Sequence, residues 1–332
     1  MSTKIFVDGM FEAEMLPNRR TCAVVLVVVC CLSHGANGQA GGEPNEPANG
    51  YSLRLPVDEV VLTFTAEDAT GMPIDGLKAT EIQVWDNGVV PRRIVAFDEL
   101  QNRPLRAGIL LDTSESMQSA LPGNKTIAAE FVGHLFRQKS DEAFVAEFGY
   151  ASDLIQPWTA DVSRLLRGVE GARESAKAPE GTALFNAVFR ACSSSFDKVD
   201  PSATGNFILL FSDGEDNAGL TPADEAARAC QRSNTQVFAF IPASAQEHPS
   251  TGPKALRELA AKTGGRVFLA DDGEDAIWSD LKAIESEMRN QYRLVYKPAE
   301  FKQDGAFHQI VLQPPDRVSR VRVRTGYFAP PK

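Results

Sequence analysis

The chain has 332 residues, of which 43% are hydrophobic and 23% are charged, a composition that is typical of globular domains and argues against a wholly disordered protein. Its 44 acidic residues outnumber its 34 basic residues, and the net charge of −10 argues against a nucleic-acid-binding protein, which needs a basic face. With four histidines and five cysteines, the chain is also poorly supplied for a zinc cluster.

The N-terminal segment has the pattern of a secretory signal peptide. Arg19 and Arg20 precede an apolar run from Cys22 to Leu32, and small residues follow it. The run is too short to span a hydrocarbon core of ~30 Å, which takes about 20 residues. We therefore expect residues 1–38 to be removed, the mature protein to be periplasmic or extracellular, and no transmembrane span to remain.

The mature chain would keep two cysteines, Cys192 and Cys230. In an oxidising compartment their thiols could pair. Both cysteines fall late in predicted helices, and this position favours two inert buried thiols over a disulfide.

A linker and a β segment follow the signal peptide. Residues 39–50 combine Gly, Pro, Asn and Glu without an apolar period and are predicted to be the linker. Residues 51–103 alternate apolar and polar positions and form the predicted N-terminal β segment. Its expected strands are Val57 to Phe64, Ile82 to Trp85 and Arg92 to Phe97. The sequence Asp86-Asn87-Gly88 predicts a hairpin between the last two of them.

Residues 104–290 alternate apolar strands with helical patterns. Ala107 to Leu111, Phe207 to Phe211 and Val237 to Ile241 are continuous apolar runs, as expected for strands that are buried on both faces. Amphipathic stripes separate these strands, and a helix from Ala276 to Met288 ends the series. The pattern predicts an α/β fold with a doubly wound, mostly parallel, Rossmann-like sheet.

After this region the chain returns to short strands, so residues 291–332 form a predicted C-terminal β segment. The simplest arrangement packs this segment with residues 51–103 in one antiparallel, β-sandwich-like unit, into which the α/β domain is inserted. Separate N-terminal and C-terminal β additions are the alternative.

Polar residues follow the apolar strands at the edge where an open parallel sheet binds its ligands. Asp112, Ser114 and Ser116 follow the first apolar run, Asp213 follows the second, and Thr182 opens a helix between them. These two carboxylates and three hydroxyls are hard oxygen ligands of the kind that Mg²⁺ prefers. Because hydroxyl ligands carry no charge, the ion would stay electron-poor and would favour a carboxylate from a partner as its last ligand.

This set of residues resembles the metal-ion-dependent adhesion site (MIDAS) of von Willebrand factor type A (VWA) domains, whose motif is D-x-S-x-S, then Thr, then Asp. The resemblance covers about residues 104–290 and implies the VWA fold, with Ser114, Ser116 and Thr182 in direct contact with the metal. The two aspartates would act directly or through water. Mg²⁺ is the expected ion, with Mn²⁺ or Ca²⁺ as alternatives.

Two finer expectations come from the same resemblance. The flanks IQVWDNGVVPRRIVAF and TGYFAPP resemble those of an exported bacterial subfamily of VWA proteins that is common in acidobacteria. The family can switch its affinity by sliding its last helix, which here would be the helix from Ala276 to Met288.

Together these observations predict an exported, non-enzymatic binding or adhesion protein that holds an Asp or Glu of a partner protein through a divalent cation. Two other hypotheses stay open. A metal-assisted hydrolase would need a base, such as Asp213 freed from the metal, and a substrate pocket, and the sequence shows neither clearly. A structural envelope module would have a silent metal site and would use its β segments for assembly.

Overall fold

The computed structural model describes residues 58–173, 181–196, 203–247 and 251–332 of the chain. The predicted signal peptide, residues 1–38, and the predicted linker, residues 39–50, lie outside these ranges. Of the described helices, none combines the length and the apolar character that crossing a membrane requires.

Strands and helices alternate through the middle of the chain, and strands stand at both ends. The strands are β1 (Val60–Glu67), β2 (Gln83–Asp86), β3 (Arg93–Leu100), β4 (Leu105–Asp112), β5 (Glu142–Phe148), β6 (Ser152–Thr159), β7 (Gly205–Phe211), β8 (Gln236–Ile241), β9 (Val267–Leu269), β10 (Gln291–Lys297), β11 (Phe307–Gln313), β12 (Arg320–Val323) and β13 (Gly326–Phe328). The helices are α1 (Leu121–Leu135), α2 (Val162–Gly171), α3 (Leu184–Arg190), α4 (Ala223–Arg232), α5 (Ala243–Glu247), α6 (Gly252–Thr263) and α7 (Glu274–Arg289).

Local sequence signals begin and end several of these helices. Asp161 caps α2, because its carboxylate accepts a hydrogen bond of 3.1 Å from the backbone N–H of Arg164. Gly264 ends α6 with a φ of 91°, a left-handed conformation that glycine adopts without steric cost. These signals set the first turn of α2 and the last turn of α6.

The middle of the chain forms a six-stranded sheet in the order β6-β5-β4-β7-β8-β9. All neighbouring strands are parallel except β5 and β6. Every residue of β4, β7 and β8 is buried, which explains the apolar run of five residues within each strand. Helices α1, α2 and α7 cover one face, while α3, α4 and α6 cover the other. The predicted doubly wound, mostly parallel sheet is confirmed.

The strand β6 was not predicted from the sequence. It is an antiparallel edge strand and it contains Pro157, which lacks the backbone N–H that a central strand needs for its hydrogen bonds. An edge position tolerates this residue because one side of the strand makes no ladder.

Strands from both ends of the chain form two antiparallel sheets, which we call the β unit. One sheet has the order β12-β1-β10-β3 and the other has the order β13-β11-β2. Val60 of β1 lies opposite Tyr296 of β10, and Phe64 lies opposite Tyr292, so the strand before the central sheet pairs with the strand after it. Apolar side chains from both sheets share one core.

The predicted Asp-Asn-Gly hairpin is wrong in its strand pairing. The turn itself is present, since Asp86 and Val89 exchange two backbone hydrogen bonds of 2.9 and 3.0 Å, and Asn87 and Gly88 have positive φ. However, β2 pairs with β11 and β3 pairs with β10, so the two strands enter different sheets. Pro91 follows the turn and has no N–H with which to continue the ladder.

The β unit packs at the amino end of the central parallel strands. The backbone N–H of Thr325 donates to the carbonyl oxygen of Ala261 near the end of α6, over 3.0 Å. The N–H of Phe328 donates to the side-chain oxygen of Gln231 near the end of α4, over 3.2 Å. The helices α4 and α6 lead into the amino ends of β8 and β9. The β unit therefore lies at the end of the sheet that is distant from the carboxyl ends of the strands.

Ion pairs stabilise the position of the last turn of α7. Nη2 of Arg289 lies 2.8 Å from Oδ2 of Asp141, and its Nε lies 2.7 Å from Oε1 of Glu285. Oε1 of Glu287 lies 3.1 Å from Nε of Arg322 in β12. Because removal of one partner would leave a buried charge uncompensated, these pairs hold α7 against both the central sheet and the β unit.

The two cysteines of the α/β region are bonded to each other. Cys192 lies in a π turn that continues α3, Cys230 lies in α4, and their Cα atoms are 4.8 Å apart in a disulfide. The sequence-based preference for two inert thiols is therefore wrong, although both residues are buried as expected. Their positions late in two helices did not indicate that these helices pack side by side.

We predict that the Cys192→Ala/Cys230→Ala double variant has a free energy of unfolding lower by about 2–4 kcal/mol than the wild type, because the disulfide closes a long loop and restricts the unfolded chain. The two cysteines are separated by 38 residues in sequence. Urea denaturation measures the difference. A reductant should lower the stability of the wild type to that of the variant, and a fully reduced wild type with unchanged stability would contradict the prediction.

Candidate metal centre

Asp112 is the last residue of β4, and its side chain is fully buried. Its Oδ1 accepts a hydrogen bond of 3.0 Å from the backbone N–H of Ser114, and its Oδ2 accepts one of 2.6 Å from the hydroxyl of Ser212. Burial, with a smaller contribution from the charge of Asp213, raises the pKa of Asp112 to about 6 against the lowering effect of its hydrogen bonds. A cation beside this carboxylate would favour its charged form.

A short 3₁₀ turn after β4, Glu115–Met117, places two serine hydroxyls side by side. The Oγ atoms of Ser114 and Ser116 are 3.4 Å apart, with Ser114 half-buried and Ser116 exposed. The side chain of Met117 is fully buried and anchors the turn in the core. The two hydroxyls are thus presented together at the surface beside the end of β4.

Thr182 precedes α3 and is held by the loop that follows β7. Its backbone N–H donates to Oδ1 of Asn217 over 2.7 Å. Its carbonyl oxygen accepts hydrogen bonds from the N–H groups of Asn217 and Ala218, over 3.1 and 3.0 Å. These three hydrogen bonds fix the backbone of the threonine relative to the loop that carries Asp213.

Gly149, directly after β5, lies between the threonine loop and the serine turn. A β-carbon at Gly149 would lie 3.8 Å from the carbonyl oxygen of Gly181 and 3.8 Å from the backbone nitrogen of Ser114. The segment before Thr182 and the serine turn are therefore close neighbours on either side of this glycine.

Asp213 follows β7 and is connected to Asp112 through Ser212. The Ser212 hydroxyl donates to Asp112 and accepts a hydrogen bond of 3.1 Å from the N–H of Gly214. Gly214 has a φ of 89°, and a β-carbon there would collide with the carbonyl oxygen of Gly252 at the start of α6, so this position requires glycine. The backbone after β7 is thus held between Asp112 and α6.

Asp112 ends β4, and the other four predicted site residues lie on loops at the carboxyl end of the central strands. Hydrogen bonds join Asp112 to Ser114 directly and Asp112 to the Asp213 loop through Ser212, while Gly149 joins the serine turn to the Thr182 loop. The set offers two carboxylates and three hydroxyls, all of which are hard oxygen donors that suit Mg²⁺. In the part of the chain that the structure describes, no group of three or more His, Cys, Asp or Glu side chains is placed to hold a metal.

Two positioning residues were missed in the sequence. Ser212 orients Asp112 across a separation of 100 residues, and Asn217 holds Thr182 across a separation of 35 residues. Ser212 stands beside Asp213 and Asn217 lies in a polar run, but neither neighbourhood indicates which distant residue the side chain contacts. Only the order of strands in the sheet brings these pairs together.

Comparison with known families gives a clear assignment. The model of the von Willebrand factor type A domain matches residues 108–286, which is more than half of the chain. The chain belongs to the VWA domain family. VWA domains mediate protein interactions, and those with a MIDAS motif bind divalent metals.

Several solved structures are similar to the chain at low sequence identity. BatB from Bacteroides thetaiotaomicron is 22% identical, with a TM-score of 0.45 over 54% of this chain and 97% of that protein. Proximal thread matrix protein 1 from the mussel byssus is 17% identical, with a TM-score of 0.45 over 57% of this chain and 49% of the mussel protein, so this chain spans about half of its length. One structure of the mussel protein has a zinc-occupied MIDAS motif. No curated protein sequence matches the chain.

We predict that Ser212→Ala weakens Mn²⁺ binding by about ten-fold, because loss of a hydrogen bond that orients a ligand typically costs 10–100-fold in metal affinity. Titration followed by electron paramagnetic resonance of free Mn²⁺ measures the affinity. The matched control is Ser193→Ala, whose half-buried hydroxyl bonds the carbonyl oxygen of Phe189 at the far end of α3. Equal Mn²⁺ affinity in the two variants would show that Ser212 does not position a metal ligand.

Proposed function

We propose that the protein is an exported, metal-dependent binding module that holds an acidic side chain of a partner protein through a divalent cation. The cation would be held at the VWA domain, residues 104–290, with Mg²⁺ as the ion and Mn²⁺ or Ca²⁺ as alternatives. The proposed ligands are Asp112, Ser114, Ser116, Thr182 and Asp213.

The observation that carries this proposal is the fully buried carboxylate of Asp112 beside two surface hydroxyls 3.4 Å apart. Asp112 would supply fixed negative charge from the protein interior, while Ser114 and Ser116 would supply neutral oxygen atoms at the surface. When bound, the cation would supply a Lewis-acid site that attracts a carboxylate. Because three of the five proposed ligands are neutral, much of the charge of the ion would remain available to a visiting Asp or Glu.

The net negative charge of the protein makes a bound cation necessary for binding an acidic partner. The chain has a net charge of −10, so an acidic partner surface would be repelled in general. A bound divalent cation would reverse the sign of the potential at one point. We therefore expect partner binding to be strongly metal-dependent and confined to the carboxyl edge of the central sheet.

Two observations support export. The N-terminal sequence has the signal-peptide pattern, and the disulfide between Cys192 and Cys230 is typical of proteins from oxidising compartments. We also propose that the flanking sequences place the chain in the exported bacterial subfamily of VWA proteins. The compartment would be the periplasm or the extracellular space.

We predict that immobilised protein retains one or more envelope proteins of the producing cell in Mg²⁺, releases them in EDTA, and retains them again when Mg²⁺ is restored. Asp112→Ala should abolish this retention, since it removes the buried charge that holds the cation. Affinity capture followed by mass spectrometry measures the retained proteins.

The control for this experiment is Asp316→Ala, which removes an exposed carboxylate of the β unit and should leave capture unchanged. Circular dichroism of Asp112→Ala checks that the variant remains folded. Retention that persists in EDTA and in Asp112→Ala would contradict metal-dependent binding. Metal-dependent turnover of aryl esters or aryl phosphates that is lost in Asp213→Asn would instead favour a hydrolase.

A further inference from the structure

A second candidate site lies at the opposite edge of the central sheet. A cavity of about 470 Å³ opens between the β unit and the end of α4, and this volume falls within the usual range of small-molecule sites. We call it the arginine cavity, because its wall includes Arg228, Arg232, Arg293 and Arg324, together with Phe301 and Phe328.

The charge of this wall contrasts with that of the whole protein. Four arginines face one glutamate, Glu59, around the cavity, whereas the chain has a net charge of −10. Arg293 is paired with Asp98, at 2.6 Å. Among the described residues, no carboxylate lies within ion-pair distance of Arg228, Arg232 or Arg324. The wall therefore carries positive charge that the described chain does not neutralise.

Arg324 is the most desolvated of these arginines. Its Nη2 donates to the carbonyl oxygen of Val61 over 2.8 Å, but its Nε is buried and has no hydrogen-bond partner among the described residues. The hydroxyls of Tyr296 and Tyr327 lie close to this arginine, yet both donate to Asp86, over 2.9 and 3.0 Å. Burial lowers the pKa of Arg324 to about 10. No described carboxylate neutralises this guanidinium, so an anion in the cavity would interact favourably with its charge.

Arg228 is held in place beside the same cavity. Its guanidinium carbon lies 4.3 Å from the ring centre of Phe328, and its nitrogens donate to the carbonyl oxygens of Ala329 and Gly305 over 3.4 and 3.1 Å. Carbonyl oxygens orient the guanidinium without neutralising it. A fixed, uncompensated guanidinium is well suited to bind an oxyanion, because little side-chain entropy is lost when the ligand arrives.

The rest of the wall is largely aromatic and aliphatic. Phe301, Phe328 and Val60 line the cavity with the arginines, while Gln231 and Asn234 add amide groups. A ligand that fits this lining has one oxyanion group and an apolar body about the size of an aromatic ring. Inorganic phosphate alone would leave the apolar surface of the cavity in contact with water.

We propose that the arginine cavity is a binding site for a small organic anion, with a carboxylate or phosphate group held by Arg324, Arg232 and Arg228 and an apolar body held against Phe301 and Phe328. The site is independent of the metal centre, since it is lined by the C-terminal end of α4 and by strands of the β unit at the amino end of the central sheet.

Isothermal titration of the protein in EDTA tests this proposal with defined probes. Phenyl phosphate and benzoate represent the two oxyanions on an aromatic body, inorganic phosphate lacks the body, and benzyl alcohol lacks the charge. We expect saturable binding of at least one aromatic anion at one site per chain, tighter than that of inorganic phosphate or benzyl alcohol. The tighter of the two aromatic anions identifies the preferred oxyanion.

Two variants locate the site. Arg232→Gln changes an exposed residue with no described hydrogen bond, so it should stay folded, and Arg324→Gln removes the half-buried guanidinium. Each should weaken binding of the aromatic anion by about ten-fold, the scale of one charge-assisted hydrogen bond. Arg257→Gln, which removes an exposed arginine of α6, should have no effect.

Absence of saturable binding for both aromatic anions would overturn the proposal. Equal affinity in Arg232→Gln, Arg324→Gln and Arg257→Gln would also overturn it. If Arg324→Gln fails to fold, Arg232→Gln decides the outcome. Because chelator is present throughout, a failed metal centre and a failed arginine cavity give separate results.

Discussion

The candidate metal centre depends on how one buried carboxylate is held. Asp112 ends a strand that is buried along its whole length, and its two oxygens are fixed by the N–H of Ser114 and by the hydroxyl of Ser212. Ser212 directly follows β7, the neighbouring strand of the sheet, so the parallel pairing of β4 with β7 sets the position of the carboxylate. Burial disfavours the charged form of this carboxylate and raises its pKa, and a neighbouring cation would offset that cost.

The two ends of the central strands carry side chains of different chemistry. The β unit packs at the amino end of the central strands, where it forms the arginine cavity with α4, and the oxygen-rich loops lie at the carboxyl end. The helix α7 connects these ends, and ion pairs of Arg289 with Asp141 and of Glu287 with Arg322 hold its last turn. A sliding motion of α7, as the family resemblance implies, would have to break these buried pairs.

Much of the central domain could be predicted from the sequence, because burial on both faces leaves a direct pattern. The runs Phe207 to Phe211 and Val237 to Ile241 are apolar throughout for this reason, and the strand ends carry the polar residues that the structure places at one edge. The disulfide, the partner of β2 and the contact of Ser212 with Asp112 could not be predicted. Each depends on which distant segments pack side by side, and a local pattern does not contain that information.

A crystal of the protein grown or soaked with Mn²⁺ tests the central claim most directly, through the anomalous difference density of the ion. The account predicts a single strong peak at the carboxyl end of β4, in contact with the side-chain oxygens of Ser114, Ser116 and Thr182 and close to Asp112 and Asp213. Density for ordered water at this position, or a Mn²⁺ peak held by other residues, would contradict it.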